Sequence, residues 1–345
     1  MQAVILAGGK GTRLRPLTVY TPKPIVPVAN RPFLQYQIEI LRKAGVLDIT
    51  LSLSYQPDKI EMLLGDGSDL GVTLKCITEP NPLGTAGAYR YAADQIRETT
   101  VVFNGDVLTD IDIAKLIEQH KSRGATATIV LTPVEDPSRY GLVETTEDGR
   151  ILRFLEKPKP EELASLGINT INAGIYILEP EVLDMIEYEV NTSFEYDVFP
   201  TLLLENKPFY SYVMDGEYWR DIGTPESYLE AHHDIMSGKV AGLENEIADF
   251  ESATAASIDS LSIIGEGCNI KPNAKIVNSV LGKNVYVEEK AVIENSVIWS
   301  HTRVSSGAQI NGAIIGRNCH IGRNASVGAQ TVLGDKTQLT DYTKV

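Results

Sequence analysis

Three glycines and two arginines stand close together near the start of the chain, and this combination can bind phosphate groups. The segment 6–15 reads LAGGKGTRLR and follows the apolar run 3–6, which predicts a buried parallel strand. Glycines leave backbone N–H groups uncovered for a phosphate chain, and guanidinium groups supply fixed positive charge. The segment is not a Walker A loop, and Leu14 replaces the third glycine of the dinucleotide fingerprint. A tight glycine-rich turn without a ligand is the alternative.

Two aspartates are candidate metal ligands. Asp106 follows the apolar run 101–103, so it lies at the carboxyl end of a predicted parallel strand, where α/β sheets bind ligands. Asp221 precedes a predicted helix start, and its alternative role is to stabilise that loop. Magnesium takes one or two carboxylates together with phosphate oxygens, so the pair predicts a Mg²⁺ site.

Other charged residues could recognise a base or a sugar in a substrate. The carboxylate of Glu79 can accept both adjacent donors of guanine, whereas a glutamine would present a donor to one of them. A surface residue before Pro80 is the alternative reading. Glu156 and Lys157 end a predicted strand, where a carboxylate can accept sugar hydroxyls and a lysine can meet a phosphate. Taken alone, such a pair is more often solvated.

The composition narrows the class of protein. The chain has 345 residues, enough for two domains and a large core, and its net charge is −15. An acidic chain repels a duplex phosphate backbone, so we expect no nucleic-acid partner. The cysteines Cys76, Cys268 and Cys319 lack metal-ligand spacing, which favours free thiols in a reducing compartment. With no membrane-length apolar run and no signal-like start, we expect a cytoplasmic protein without membrane contact.

The elements that position these residues follow an α/β pattern. Apolar strands alternate with helical patterns to about residue 130, which predicts a mostly parallel, Rossmann-like sheet. The predicted strands are 2–7, 48–54, 72–78, 100–104 and 125–132, and the predicted helices begin at Asn30, Pro57, Gly84 and Asp112. From 140 to 215, strands joined by turns extend this domain, with one helix near Glu179–Ile186. A helix capped by Thr224 runs to about 237.

A repeat of six residues fills the C-terminal part of the chain. Aliphatic residues recur from Ile264 to Leu339 with occasional steps of five, and glycine, asparagine and aspartate fill the corners. This hexapeptide pattern predicts a left-handed parallel β-helix of about four coils. We therefore expect an α/β domain at 1–237, a connector at 238–260 and a β-helix domain at 261–345.

Seven motifs along nearly the whole chain resemble the sugar-1-phosphate nucleotidyltransferases, also called NDP-sugar pyrophosphorylases. They are the glycine segment, Pro22-Lys23-Pro24, Leu83-Gly84-Thr85-Ala86-Gly87, Asn104-Gly105-Asp106, Glu156-Lys157-Pro158, Asn172-Ala173-Gly174 and Trp219-Arg220-Asp221-Ile222-Gly223. The resemblance implies transfer of a nucleotidyl group from an NTP to a sugar 1-phosphate, with Mg²⁺ as cofactor and pyrophosphate as by-product. It is closest to the members that use GTP and mannose-1-phosphate. Glucose-1-phosphate with dTTP or UTP is the alternative.

The resemblance also implies roles for individual residues. The catalytic residues are Arg13, Lys23, Asp106 and Asp221, of which the two aspartates hold the metal. The nucleotide-binding residues are Leu6, Ala7, Gly8, Gly9, Gly11, Thr12, Glu79, Gly84 and Thr85. The residues that bind the sugar phosphate are Gly141, Glu156, Lys157 and Asn172.

Two other functions fit parts of the pattern. Hexapeptide β-helices also form acyltransferases with a histidine as general base, and His301 or His320 could take that role. A non-catalytic regulatory relative would bind a sugar nucleotide, but such relatives tend to lose the arginine or the aspartates that are present here. We instead expect an enzyme whose β-helix assembles a homo-oligomer.

Overall fold

The computed structural model describes residues 1–137, 140–156, 168–242 and 250–345, with the backbone alone at Glu156. The described chain divides into two compact units. The first unit consists of Met1–Gly9 and Leu34–Trp219, and the second consists of Lys10–Phe33 and Arg220–Val345. The division thus falls inside the glycine segment. No helix in the described ranges is long and apolar enough to cross a membrane.

Short strands and helices alternate before the C-terminal repeat. The strands are β1 (Gln2–Leu6), β2 (Pro27–Val28), β3 (Arg31–Pro32), β4 (Asp48–Leu53), β5 (Thr73–Thr78), β6 (Thr100–Asn104), β7 (Val107–Thr109), β8 (Ala127–Pro133), β9 (Gly141–Thr145), β10 (Ile151–Glu156), β11 (Thr170–Leu178), β12 (Phe209–Val213) and β13 (Trp219–Asp221). The helices are α1 (Leu34–Lys43), α2 (Pro57–Leu64), α3 (Gly84–Ala92), α4 (Ile113–Ser122), α5 (Phe199–Leu204) and α6 (Pro225–Met236). Tighter 3-10 turns cover Thr12–Leu14, Leu17–Val19, Lys23–Ile25, Ser68–Leu70 and Pro180–Met185, and a wider π-helical turn covers Phe194–Val198.

One mixed sheet organises the first unit. Its strand order is β10-β9-β11-β6-β1-β4-β5, and β8 and β12 extend it from β11. Strand β1 pairs in parallel with β4 and β6, and β4 pairs in parallel with β5, which confirms the predicted Rossmann-like core. Strand β11 runs antiparallel to β6 and β8, so the sheet changes direction where the later strands join it.

The residues predicted to begin helices had different outcomes in the structure. Helix α4 begins as predicted, because the Asp112 carboxylate accepts the N–H of Lys115 at 3.0 Å. Asn30 does not begin a helix: with Ala29 it forms the left-handed turn between β2 and β3, at φ values of 65° and 44°. Asparagine tolerates this conformation as readily as it caps helices. The element after Glu179 is a short 3-10 helix, Pro180–Met185, rather than the predicted α-helix.

Three parallel sheets form the β-helix in the second unit. The first sheet contains Glu251–Ser252, Asn269–Ile270, Tyr286–Val287, Arg303–Val304, His320–Ile321 and Gln338–Leu339. The second contains Ser257–Ile258, Lys275–Val277, Val292–Glu294, Gln309–Asn311 and Ser326–Val327. The third contains Ile263–Ile264, Val280–Leu281, Val297–Ile298, Ile314–Ile315 and Val332–Leu333. The predicted aliphatic residues fill the interior, and the six strands of the first sheet make the helix longer than predicted.

The first two strands of the β-helix, Glu251–Ser252 and Ser257–Ile258, lie inside the stretch predicted to be a connector. Ser252 pairs with Ile270, and Ile258 pairs with Ile276, in the same parallel registers as later coils. The repeat therefore extends back past residue 261. Ser252 is polar at a position that later coils fill with aliphatic side chains, which hid the first step of the repeat, whereas Ile258 lies six residues before Ile264 and fits it. The domain boundaries themselves stay a prediction.

Candidate active site

The carboxyl ends of β1 and β6 approach each other closely in the first unit. The N–H of Gly105 donates to the carbonyl of Leu6 at 2.9 Å, and a Cβ on Gly105 would lie 2.7 Å from that oxygen. Only a glycine allows this approach. Ala7 continues from β1, with its N–H bonded to the carbonyl of Ser52 at 2.8 Å. The start of the glycine segment and the loop that carries Asp106 therefore lie at the ligand-binding edge of the sheet.

A buried glutamine fixes the loop that carries Asp106. Gln37 is 1% exposed, and its amide nitrogen donates to the carbonyls of Asn104 at 2.9 Å and Val107 at 2.8 Å. The two bonds hold the backbone on both sides of Asp106. Sequence reasoning missed this role, although an amide on the apolar face of α1 was a signal that could have shown it.

Glu79 lies against the first glycine of the segment. Its Oε2 accepts the N–H of Leu83 at 3.0 Å, and a Cβ on Gly8 would lie 2.6 Å from its Oε1. Burial raises the pKa of Glu79, and the bond from Leu83 opposes this shift. The half-buried carboxylate is therefore held in place rather than solvated as a surface residue.

Thr85 uses its hydroxyl inside the protein. The hydroxyl donates to Oε2 of Glu195 at 3.0 Å and accepts the N–H of Phe194 at 2.9 Å. Gly84 has a φ of 76°, and a Cβ there would lie 2.5 Å from the carbonyl of Thr192. The start of α3 is thus fixed by the segment 192–195. Contact of Thr85 with a nucleotide, which stays a prediction, is better suited to its backbone than to its hydroxyl.

Asn172 shapes a bulge in β11. Its Oδ1 accepts the N–H of Gly174 at 2.9 Å, and its Nδ2 donates to the hydroxyl of Tyr176 at 2.9 Å. The register of β11 against β8 shifts between Asn172 and Tyr176, and Gly174 has a φ of 74°. Bulges often lie next to binding sites, where they redirect a side chain. The role predicted for Asn172 in binding a sugar hydroxyl is compatible with its remaining N–H and lone pairs.

Two aromatic rings border this bulge. The indole N–H of Trp219 donates to the carbonyl of Ala173 at 2.8 Å, and Tyr140 packs edge-on against it at 5.7 Å between ring centroids. Gly141 follows as the first residue of β9 and pairs with Glu156. The side chain of Glu156 and the whole of Lys157 lie outside the described residues.

In the second unit, Lys23 packs against the last glycine of the segment. Gly11 has a φ of 59°, and a Cβ there would lie 2.8 Å from Cβ of Lys23. The hydroxyl of Thr18 donates to the carbonyl of Gly11 at 2.7 Å. Lys23 is only 8% exposed and begins a 3-10 turn. The lysine predicted to contact phosphate is therefore held by its backbone and its aliphatic stem.

Arg13 and Asp221 lie against the same glycine. A Cβ on Gly223 would lie 2.8 Å from Nη2 of Arg13 and 2.7 Å from Oδ2 of Asp221. The hydroxyl of Ser227, in the first turn of α6, donates to the carbonyl of Asp221. Gly223 thus leaves room for both charged groups, a role that sequence spacing alone did not show. Thr12 and Arg15, which flank this part of the segment, are exposed.

The predicted metal ligands are carboxylates, which suit a hard divalent cation. Across the described ranges, no group of three or more His, Cys, Asp or Glu side chains can hold a metal ion by itself. Magnesium commonly needs only one or two carboxylates, because substrate phosphates and waters supply its other ligands. Asp106 and Asp221 each offer a carboxylate of the kind that a nucleotide-bound cation takes, and their role as its ligands stays a prediction.

The family follows from two matches that together cover most of the chain. Residues 2–238 match the nucleotidyl transferase family, and residues 246–345 match the LbH (left-handed β-helix) domain of EIF2B subunit epsilon. The chain therefore belongs to the nucleotidyl transferase family and carries a C-terminal left-handed β-helix. Both the predicted family and the predicted fold class are confirmed.

Similar proteins include mannose-1-phosphate guanylyltransferases, which are sugar-1-phosphate nucleotidyltransferases. The mannose-1-phosphate guanylyltransferase of Mycobacterium tuberculosis is 38% identical over 291 residues, covering 81% of this chain and 79% of the relative. The mannose-1-phosphate guanyltransferase of Saccharomyces cerevisiae is 40% identical over 281 residues, covering 80% and 73%. The fold is also similar to the crystal structure of HddC from Yersinia pseudotuberculosis complexed with GMP-PN, with a TM-score of 0.57. The two sequences are 33% identical, and the match covers 68% of this chain and 99% of the HddC chain. The chain is thus an enzyme of this class.

Proposed function

We propose that this enzyme transfers GMP from GTP to mannose-1-phosphate, giving GDP-mannose and pyrophosphate, with Mg²⁺ as its metal. The observation that carries the choice of base is Glu79, whose carboxylate is fixed between Gly8 and the N–H of Leu83. A carboxylate can accept both N1–H and the 2-amino group of guanine. The names of the relatives agree with this choice.

The reaction is a displacement at the α-phosphate. A phosphate oxygen of the sugar 1-phosphate forms a bond to the α-phosphorus, and the bond to the pyrophosphate oxygen breaks. Both reactants are anions, so the protein contributes mainly position and charge neutralisation. We assign the guanidinium of Arg13 and the ammonium of Lys23 to the phosphates, and the backbone N–H groups of Gly8, Gly9 and Gly11 to the same chain of oxygens. A bound Mg²⁺ would neutralise further phosphate charge.

The sugar is assigned to the bulge of β11 and its aromatic border. Asn172 offers hydrogen bonds to a hydroxyl, and Gly141 lets the backbone approach the ring. Tyr140 and Trp219 add apolar faces beside these polar groups, a combination that suits a pyranose. Glu156 and Lys157 are assigned to this group from the sequence alone.

The free cysteines and the β-helix bear on the cellular location and the oligomeric state of the enzyme. We expect a cytoplasmic enzyme, because Cys76, Cys268 and Cys319 are free thiols that suit a reducing compartment. We also expect the β-helix to join copies of the chain into a homo-oligomer. Both statements rest on the sequence and on general chemistry.

Replacing Glu79 by glutamine is expected to reduce the preference for GTP. The amide keeps the acceptor for the Leu83 N–H but presents a donor toward one of the guanine donors, so kcat/KM for GTP should fall about 10-fold or more relative to the other NTPs. The measurement is pyrophosphate release with mannose-1-phosphate and each of the four NTPs, for wild type and E79Q. An unchanged order of preference would show that Glu79 does not read the base.

A further inference from the structure

The segment that carries Arg13 and Lys23 belongs to the same compact unit as the β-helix. Lys10–Phe33 groups with Arg220–Val345, although the strand before it lies in the other unit. We propose that the β-helix is the platform that positions this segment for phosphate transfer, with Arg317 as its main positioning residue. The inference rests on the roles proposed above for Arg13 and Lys23.

Arg317 holds the segment two residues before Lys23. Its Nη1 donates to the hydroxyl of Thr21 at 2.7 Å, across 296 residues of sequence. The guanidinium lies over the ring of Trp299, 4.9 Å from the centroid. Thr21 and Trp299 are each 1% exposed, so the contact is shielded from water and screened little by salt.

A second series of contacts continues from Trp299 to the same segment. The indole N–H donates to the hydroxyl of Tyr228 at 2.9 Å, and that hydroxyl donates to the carbonyl of Pro27. Tyr228 is fully buried in α6. The β-helix, α6 and the segment are therefore joined by one chain of buried polar contacts.

The hairpin of β2 and β3 provides a further anchor. The N–H of Ala29 donates to Nδ1 of His232 at 3.2 Å, and Nδ2 of Asn30 donates to the carbonyl of Leu281 in the β-helix at 2.8 Å. At the other end, a Cβ on Gly334 would lie 3.0 Å from Cβ of Pro16. The contacts thus bracket Lys23 on both sides.

Arg13 and Lys23 need such support because their own backbone is irregular. They lie in the short turns Thr12–Leu14 and Lys23–Ile25, which have no long helix or sheet to fix them. Phosphate transfer depends on placing charges to within a fraction of an ångström. The β-helix supplies the rigid element that these turns lack.

The test replaces Arg317 by alanine and, separately, Thr21 by valine, which keeps the shape of threonine and removes its hydroxyl. Arg303 is the matched control, because its guanidinium also lies over an aromatic ring, that of Tyr286 at 5.5 Å, but pairs with Glu288 on the β-helix. The readouts are kcat and KM with the substrate pair that wild type turns over fastest, and hydrogen exchange of the amides in 14–26.

We expect R317A to lower kcat/KM about tenfold and to speed hydrogen exchange in 14–26. T21V should change both quantities in the same direction, and R303A should change neither. KM for the NTP should rise more than KM for the sugar phosphate. Unchanged hydrogen exchange in R317A and T21V would contradict the proposed positioning role of the β-helix. Faster exchange with unchanged kcat/KM would also overturn it, because the position of the segment would not matter. Neither result depends on which base or sugar the enzyme prefers.

Discussion

Replacing Arg13 by alanine is expected to lower kcat by about 10²–10³-fold, comparable to the loss of one oxyanion-stabilising donor. Arg13 is exposed and lies against Gly223 beside the carboxylate of Asp221, so the fold does not depend on its side chain. R13K should restore only part of the rate, because an ammonium lacks the planar fork of a guanidinium. Steady-state pyrophosphate release and the unfolding temperature measure the two effects.

Arg15 provides the control for this prediction. It carries the same charge two residues along and is also exposed. R15A should change kcat by less than about threefold, because Arg15 is assigned no contact with a phosphate and an exposed charge is screened by salt. Equal losses in R13A and R15A would show that only the general positive charge of the segment matters, and an active R13A would remove Arg13 from the mechanism.

Replacing Gly9 by alanine is expected to lower the activity strongly without disturbing the fold. A Cβ on Gly9 would meet no protein atom within 4 Å, and its backbone is not in the left-handed region. Stability should be unchanged or rise by about 0.4–1 kcal/mol, because alanine restricts the unfolded chain. If the phosphates lie against this backbone, the added methyl displaces them, and kcat/KM should fall about 10²-fold.

Gly8 gives the contrasting variant. A Cβ there would lie 2.6 Å from Oε1 of Glu79, so G8A should lower both the unfolding temperature and the activity. Thermal unfolding and kcat/KM for the NTP, measured on both variants, separate the two positions. A fully active G9A would show that the glycine segment is a structural turn rather than a phosphate-binding loop.

Local patterns predicted much of the fold. The apolar runs became β1, β4, β6 and β8, whose residues pair on both sides and are mostly buried, and the predicted strand 72–78 became the more exposed edge strand β5. The step of six residues predicted the β-helix, because each step moves the chain to the next of the three sheets and places another aliphatic side chain in the interior. Such signals are contained within a few neighbouring residues, so they can be read without knowing the rest of the chain.

Other features depend on partners that are distant in sequence. The Gln37 amide bonds Asn104 across 67 residues, and Thr85 bonds Glu195 across 110. Neither partner can be identified from spacing. Asn30 illustrates a different limit, because the same residue type favours both a helix cap and a left-handed turn, and the pairing of β2 with β3 decides between them.

The sequence motifs identified the candidate site residues themselves. They did not identify the roles of the residues that make room for them or hold them in position. Motif order selected Arg13 and Asp221, but it gave no reason for Gly223, whose missing side chain leaves room for both. It likewise gave no role to Arg317, which contacts the segment only because the β-helix folds against it within one unit.

The most direct measurement is pyrophosphate release by the wild-type enzyme over four NTPs and four sugar 1-phosphates, those of mannose, glucose, galactose and N-acetylglucosamine, with and without Mg²⁺. We expect GTP with mannose-1-phosphate to give the highest kcat/KM, and we expect omission of Mg²⁺ to abolish turnover. A dominant combination of dTTP or UTP with glucose-1-phosphate would contradict the proposed substrates, and no turnover with any pair would contradict catalysis itself.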